Sequence, residues 1–254
     1  MEDRAHDAEP WINHNKARSA GRSTRQNVKS KRKAMPFARL EFDGPVAKVV
    51  LNHPNGNRIN FAMREELHDA FELIAASKAR VVIVSGQGVD FCAGGDIREW
   101  PRISADALRP RVEVFANALD LLERLPIPTI AAVQGSCQGG GFELALACDL
   151  IIATRSARFA FPEASLEILT LQGGVVRVAE RIGRSKAIEL AFLCKPVSAD
   201  RMAAWNVVNQ VVADEDLYRE ADALANRLAA GPPGAYAATK VPARRVVSTR
   251  LAGH

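Results

Sequence analysis

Four short apolar runs divide the first two thirds of the chain, and each stops at a polar or turn-forming residue. "VAKVVLN" (46–52), "RVVIVSG" (80–86), "TIAAVQG" (129–135) and "DLIIATR" (149–155) are rich in β-branched residues and have the length of a buried strand. A different spacing governs the stretches between them. Leu67, Phe71 and Ile74 recur at steps of four and three, which predicts a helix over 62–77; Leu108, Val112, Phe115, Leu119 and Leu122 predict an amphipathic helix ahead of the third run. A strand-like pattern also begins directly after Met35, and from about residue 173 the pattern turns mostly helical, broken by "NVVNQVV" (206–212). Strands alternating with helices predict a layered α/β body with a helical C-terminal part.

Composition narrows this picture. Hydrophobic residues are 48% of the 254, ample for a core. No run of eighteen apolar residues occurs, so no membrane span is expected. The N-terminus has no signal-like apolar stretch, and its acidic residues argue against a transit peptide, so the expected location is the cytoplasm. Residues 1–34 hold nine Lys/Arg against four Asp/Glu, whereas the remainder holds twenty-five of each, so the whole net charge of +5 sits in that segment. Polar and aperiodic, residues 1–35 read as a disordered basic tail. Its "KSKRK" (29–33) is suited either to solvent or to nucleic-acid phosphates, and Met35 is an alternative start. Cys92, Cys137, Cys148 and Cys194 form no CxxC pair and are expected as free thiols. The histidines form no HxxxH or HExxH motif, so no metal is expected.

Three stretches carry candidate chemistry. In "CQGGGFELALACD" (137–149) glycines join a strand to a short apolar helix, with Glu143 in its first turn. Such a junction is either a tight turn or a place where bare amide hydrogens face an anionic oxygen. "FCAGGDI" (91–97) has the same form, and a second such turn could add a second donor to one oxygen. "FAFPEASLEI" (159–168) places Glu163 after Pro162, a residue that opens helices; a surface glutamate is the plainer reading.

Taken with "VVLNHP…NRIN", "PIPTIAAVQGSCQGGGFELALACDLIIAT", "GGVVRVAERIGRSKAIEL" and "AATK", these stretches resemble the crotonase superfamily, the enoyl-CoA hydratase/isomerase group, from about residue 37 to 240. The resemblance implies a crotonase-like spiral of repeated ββα units (36–195) with a helical C-terminal part (196–254) that builds trimers or dimers of trimers. It implies a coenzyme A thioester as substrate, with no separate cofactor. It assigns the oxyanion-binding amides to Ala93 and Gly140, water activation to Glu143 and proton delivery to Glu163. It places Arg58 near the coenzyme's phosphates and the turn Gly94, Gly95, Asp96 and Ile97 near its adenine. Trp100, in "REWPRISADA", lines the acyl pocket or packs in the core.

The chain departs from the family's pattern at "EILTLQGGVVRV" (167–178), beside the expected acyl site, at Gln138, and after "AATK", where "VPARRVVSTRLAGH" is short and basic and reads as a shortened end. The expected activity is reversible hydration of a 2-enoyl-CoA, a lyase reaction. The alternatives are double-bond isomerisation, C–C or thioester cleavage, and a non-catalytic hydratase-like binding protein.

Overall fold

In chain order the elements are β1 (Ala38–Asp43), β2 (Val46–Leu51), α1 (Phe61–Ala75), β3 (Val81–Gly86), α2 (Ala105–Arg124), β4 (Thr129–Val133), β5 (Ser136–Gln138), α3 (Gly140–Ala147), β6 (Leu150–Thr154), β7 (Arg158–Ala160), α4 (Gly174–Ile182), α5 (Arg184–Leu193), β8 (Val197–Ser198), α6 (Ala199–Ala204), β9 (Gln210–Val212) and α7 (Leu217–Ala230). The computed structural model describes residues 35–101 and 103–241. The expected basic tail with its "KSKRK" and the expected shortened end past residue 241 lie outside the described residues.

The four apolar runs pair side by side in a six-stranded sheet of order β1-β2-β3-β4-β6-β9. Only β1 is antiparallel to its neighbour. Every residue of β3 and β4 is buried, as expected of parallel strands covered on both faces. A second layer runs beside this sheet: β5, β7 and β8 form a three-stranded sheet, which single parallel bridges extend at Ile59–Gly95 and Cys92–Cys137. Each turn of the chain therefore lays down a main-sheet strand, a short second-layer segment and a helix. β4, β5 and α3 show the unit in full. This is the expected ββα spiral.

The C-terminal part is woven into the same body. β8 joins the second sheet and β9 the first, while Leu217, Ala221 and Ala225 of α7 share a buried cluster with Val81, Ile83, Ile130 and Ile152. A division at 195/196 thus cuts through both sheets, and the described residues fall in one unit. Among them, no helix is long and apolar enough to cross a membrane.

The opposite face of the sheet carries the larger core, and an aromatic group within it bears on the site. The Phe142 ring, on α3, stacks on Phe161 at 4.8 Å and tilts against Phe159 at 5.2 Å. Such contacts contribute about 0.5–1.5 kcal/mol per pair beyond area burial. Their larger consequence is positional: Phe142 precedes Glu143 and Phe161 precedes Pro162–Glu163, so the stack fixes the two glutamate-bearing segments against each other.

Candidate active site

The three glycines differ in what they do. Gly139 caps α3 at φ 49°, ψ −123° with no side-chain hydrogen bond, a conformation that a Cβ disfavours strongly. A Cβ there would also lie 2.6 Å from Glu163 Oε1, so the residue that turns the chain leaves room for a carboxyl group. At Gly141 a Cβ would lie 2.5 Å from Cys92 Cβ; its absence lets α3 settle onto the β3–α2 loop. Gly140 lies between them at the start of α3, where the first amides have no acceptor within the helix. The nearest neighbours of a Cβ there would be Phe115 Cε1 at 3.4 Å, Ile59 Cδ1 at 3.6 Å and Gly95 N at 3.7 Å.

The facing loop supplies Gly95. The Ala93 amide is engaged elsewhere, donating to Gly56 O at 2.8 Å, and the Asp96 amide donates to Ile59 O at 2.9 Å. Among the described residues the Gly95 amide has no acceptor, and Gly95 lines one cavity with Gly140, Glu143 and Glu163. The two open amides thus belong to Gly95 and Gly140. The expectation that Ala93 contributes one is corrected by its bond to Gly56.

The two glutamates share the cavity but not the same surroundings. Glu143 is 1% exposed, and its Oε1 accepts from Gln172 N at 2.8 Å and Gly174 N at 3.1 Å. Burial raises its pKa, and those two amides, then Arg177 and Arg64, oppose the rise only in part. These partners favour the carboxylate. Arg177 also secures the segment that supplies the amides: it donates to Glu123 at 2.5 and 3.1 Å and to the Gln172 carbonyl. Glu163 opens a 3-10 turn after Pro162. Its Oε2 is buried with no hydrogen-bond partner, and burial, with a smaller push from Glu143, raises its pKa to about 7. One carboxyl is therefore fixed by two amide donors, and the other has no partner at Oε2 and is poised to carry a proton near neutrality.

These side chains enclose a cavity of about 40 Å³, room for two or three waters. A family model described as enoyl-CoA hydratase/isomerase matches residues 41–253. The chain belongs to the enoyl-CoA hydratase/isomerase family. YngF of Bacillus subtilis, which bears the same family name, is 37% identical over 210 residues, covering 82% of this chain and 81% of that protein. Carnitinyl-CoA dehydratase of Proteus mirabilis is 34% identical over 203 residues, 79% of this chain and 77% of that protein. The structure of an enoyl-CoA hydratase/carnitine racemase from Magnetospirillum magneticum superposes with a TM-score of 0.79 at 33% identity, over 84% of this chain and 82% of that one.

Other expected site positions in this enoyl-CoA hydratase/isomerase chain have local roles. Arg58 Nη1 donates to Ala93 O at 2.9 Å. Asp96 accepts two hydrogen bonds of 2.7 Å from Arg98, and that pairing lowers its pKa. Gly94, at φ +100°, packs over the Gln138 carbonyl. Ile97 and Trp100 line the cavity. The divergent 167–178 stretch does border the site: Ile168, Leu169, Leu171 and Gln172 are in its wall.

Arg64 also lines the cavity and was missed in the sequence, although its spacing from Leu67 and Phe71 puts it on the buried face of α1. The His68, Asp69 and Glu72 group on the same helix brings three ligand atoms within 4.8 Å of one another. It is the one such group among the described residues, and its side chains are partly or fully exposed.

Proposed function

We propose that the chain reversibly hydrates a 2-enoyl-CoA to a 3-hydroxyacyl-CoA. The observation that carries this reading is the pair of dissimilar glutamates facing the Gly95 and Gly140 amides across one small cavity. Water held by Glu143 attacks C3 and gives a proton to that carboxylate. The C2–C3 π electrons move onto the thioester oxygen, whose growing charge is received by the two amides. Re-formation of the carbonyl takes the proton of Glu163 onto C2. Amides already in position favour the charged transition state over the neutral thioester, and loss of one such donor typically costs about 10²–10³ in kcat.

Isomerisation needs proton movement but no bound water, and cleavage needs a leaving group rather than an incoming nucleophile. The Glu143 carboxylate, fixed by two amides beside a space of water size, favours hydration over both. A carnitinyl group carries a quaternary ammonium; this cavity presents the Arg64 guanidinium instead.

The test is loss of the enoyl-thioester absorbance of crotonyl-CoA, with a product heavier by one water. Glu143→Gln and Gly95→Pro should each lower kcat by at least 100-fold. Turnover untouched by both substitutions, or a product of unchanged mass, refutes the reading.

The same proposal includes self-assembly. Leu166, Leu169, Leu171, Val176, Phe192 and Leu193 are exposed apolar side chains within one span of the chain, and copies of the chain would cover them.

A further inference from the structure

Arg64 has no part in the proton transfers above, yet it is 4% exposed in the wall of the same cavity. Its Nε and Nη1 are buried without a hydrogen-bond partner; Glu99 and Glu143 act on its charge through space, but among the described residues neither closes an ion pair with it. Three other charged side chains that are buried or partly buried are provided for. Glu66, two residues on, accepts from the Phe37 and Ala38 amides at 2.8 Å each. Arg177 is paired with Glu123, and Arg181 donates to the carbonyls of Leu146, Cys148 and Val207. Leaving guanidinium donors buried and unpaired is costly, so an unpaired one at a ligand cavity points to a ligand.

Trp100 strengthens the inference. Its indole Nε1 is also buried and unpartnered, and it lines the same cavity. The Arg64 guanidinium carbon lies 5.8 Å from the Trp100 ring centre and 5.2 Å from that of Phe61. Aromatic faces thus support the guanidinium while leaving Nε and Nη1 without an acceptor. The Nη1–Nη2 edge of a guanidinium is a planar fork of donors, and that fork with an added indole N–H matches the two oxygens of a carboxylate.

Resting on the hydration reading, we propose that Arg64 and the Trp100 N–H form a carboxylate subsite for the acyl group, so that the preferred substrate is the CoA thioester of a short unsaturated dicarboxylic acid. The cavity that holds Arg64 also holds Glu143, Glu163 and the open amides, which places the guanidinium at the reacting end of the thioester. The coenzyme's own phosphates are separated from that end by the uncharged pantetheine arm. A short chain is required because Arg64 and the two glutamates line the same cavity.

The experiment compares kcat/KM for crotonyl-CoA and glutaconyl-CoA, which differ by a terminal carboxylate. The native chain should favour glutaconyl-CoA by at least tenfold. Arg64→Met should lower that ratio about 100-fold, and Trp100→Phe, which keeps the ring and deletes the N–H, about tenfold. Calorimetric titration with the unreactive glutaryl-CoA, butyryl-CoA and free CoA gives a second readout independent of turnover. If neither enoyl thioester is hydrated but glutaryl-CoA binds more tightly than butyryl-CoA in an Arg64-dependent way, the hydration reading fails and the subsite stands. A native ratio of one or less overturns the subsite even if Arg64→Met does not fold. So does an Arg64→Met loss of affinity as large for free CoA as for glutaryl-CoA, which would assign the guanidinium to a coenzyme phosphate.

Discussion

Replacing Glu163 with Gln should stabilise the protein at alkaline pH while abolishing its activity. The argument is one of proton linkage. Burial, with Glu143 nearby, lifts the folded-state pKa of Glu163 from 4.5 to about 7. Between those values the folded chain holds a proton that the unfolded chain has released. Stability therefore falls as pH rises through this window, and the loss is complete above about pH 7. At about 1.4 kcal/mol per unit, the full gap corresponds to an upper bound of about 3 kcal/mol. Water reaching the open side of the cavity reduces this to about 1–2 kcal/mol. Gln mimics the protonated carboxyl in shape and has no such loss. Urea unfolding at pH 4 and pH 8, at one protein concentration, should show the two proteins converging at pH 4 and the variant ahead by about 1–2 kcal/mol at pH 8, or about 3–6 °C in Tm. Other titrating groups are common to both proteins and cancel in the difference. The same carboxyl is the proposed acid for C2, so native kcat should decline as pH rises through about 7. A variant less stable than the native chain at pH 8, or a difference independent of pH, would show that Glu163 is an ordinary ionised carboxylate and would remove the acid from the mechanism.

Other substitutions test the supports of the site. Gly139→Ala adds a Cβ at a positive φ and 2.6 Å from Glu163 Oε1; it should cost about 1–3 kcal/mol in urea unfolding and lower kcat about 100-fold through displacement of the carboxyl. Arg177→Met removes the clasp on Glu123 and the 172 carbonyl at a cost of about 2 kcal/mol. It also removes a cation that lowers the Glu143 pKa, so the acidic limb of the pH–kcat profile should move to higher pH. Burial raises the pKa of the Cys92 thiol to about 12 and also raises those of Cys137 and Cys148, while Cys194 is partly exposed; a disulfide reagent should therefore modify one thiol rapidly in the native protein and all four in urea. Sedimentation should show an assembly larger than one chain, and Phe192→Lys, at a position 77% exposed, should shift it towards the monomer without unfolding it.

What could be read from sequence depended on how far each feature's cause lay along the chain. The strands at 46–51, 81–86, 129–133 and 150–154 and the helices α1 and α2 carry their own period, and they occur where the pattern predicts. β5 and β7, three residues each, and β8, two residues long, are too short to carry one. They exist because successive turns of the spiral bring segments such as Cys92 and Cys137 into register.

The site divides in the same way. A carboxylate beside a glycine turn can be suspected from neighbouring residues, as at Glu143 and Gly140, whereas Glu163 reads locally as a surface glutamate and only the family resemblance singles it out. Which amide of "CAGGD" stays open is another matter. The peptide of Ala93 is turned by an acceptor at Gly56, thirty-seven positions upstream, and a glycine-rich loop does not encode that orientation. Glu143 likewise takes its two amide donors from 172 and 174, on a segment whose departures from the family pattern gave no sign of this backbone role. Arg64 shows why charge is an unsafe guide to exposure. The apolar stripe of α1 is drawn through Leu67, Phe71 and Ile74, and a stripe chosen by polarity stops short of the arginine one step before Leu67 on that same face, since arginines are usually exposed. Extending the stripe by position rather than by polarity would have put a guanidinium beside the site. There, the absence of a protein acceptor for Nε and Nη1 is the strongest physical reason for expecting one in the substrate.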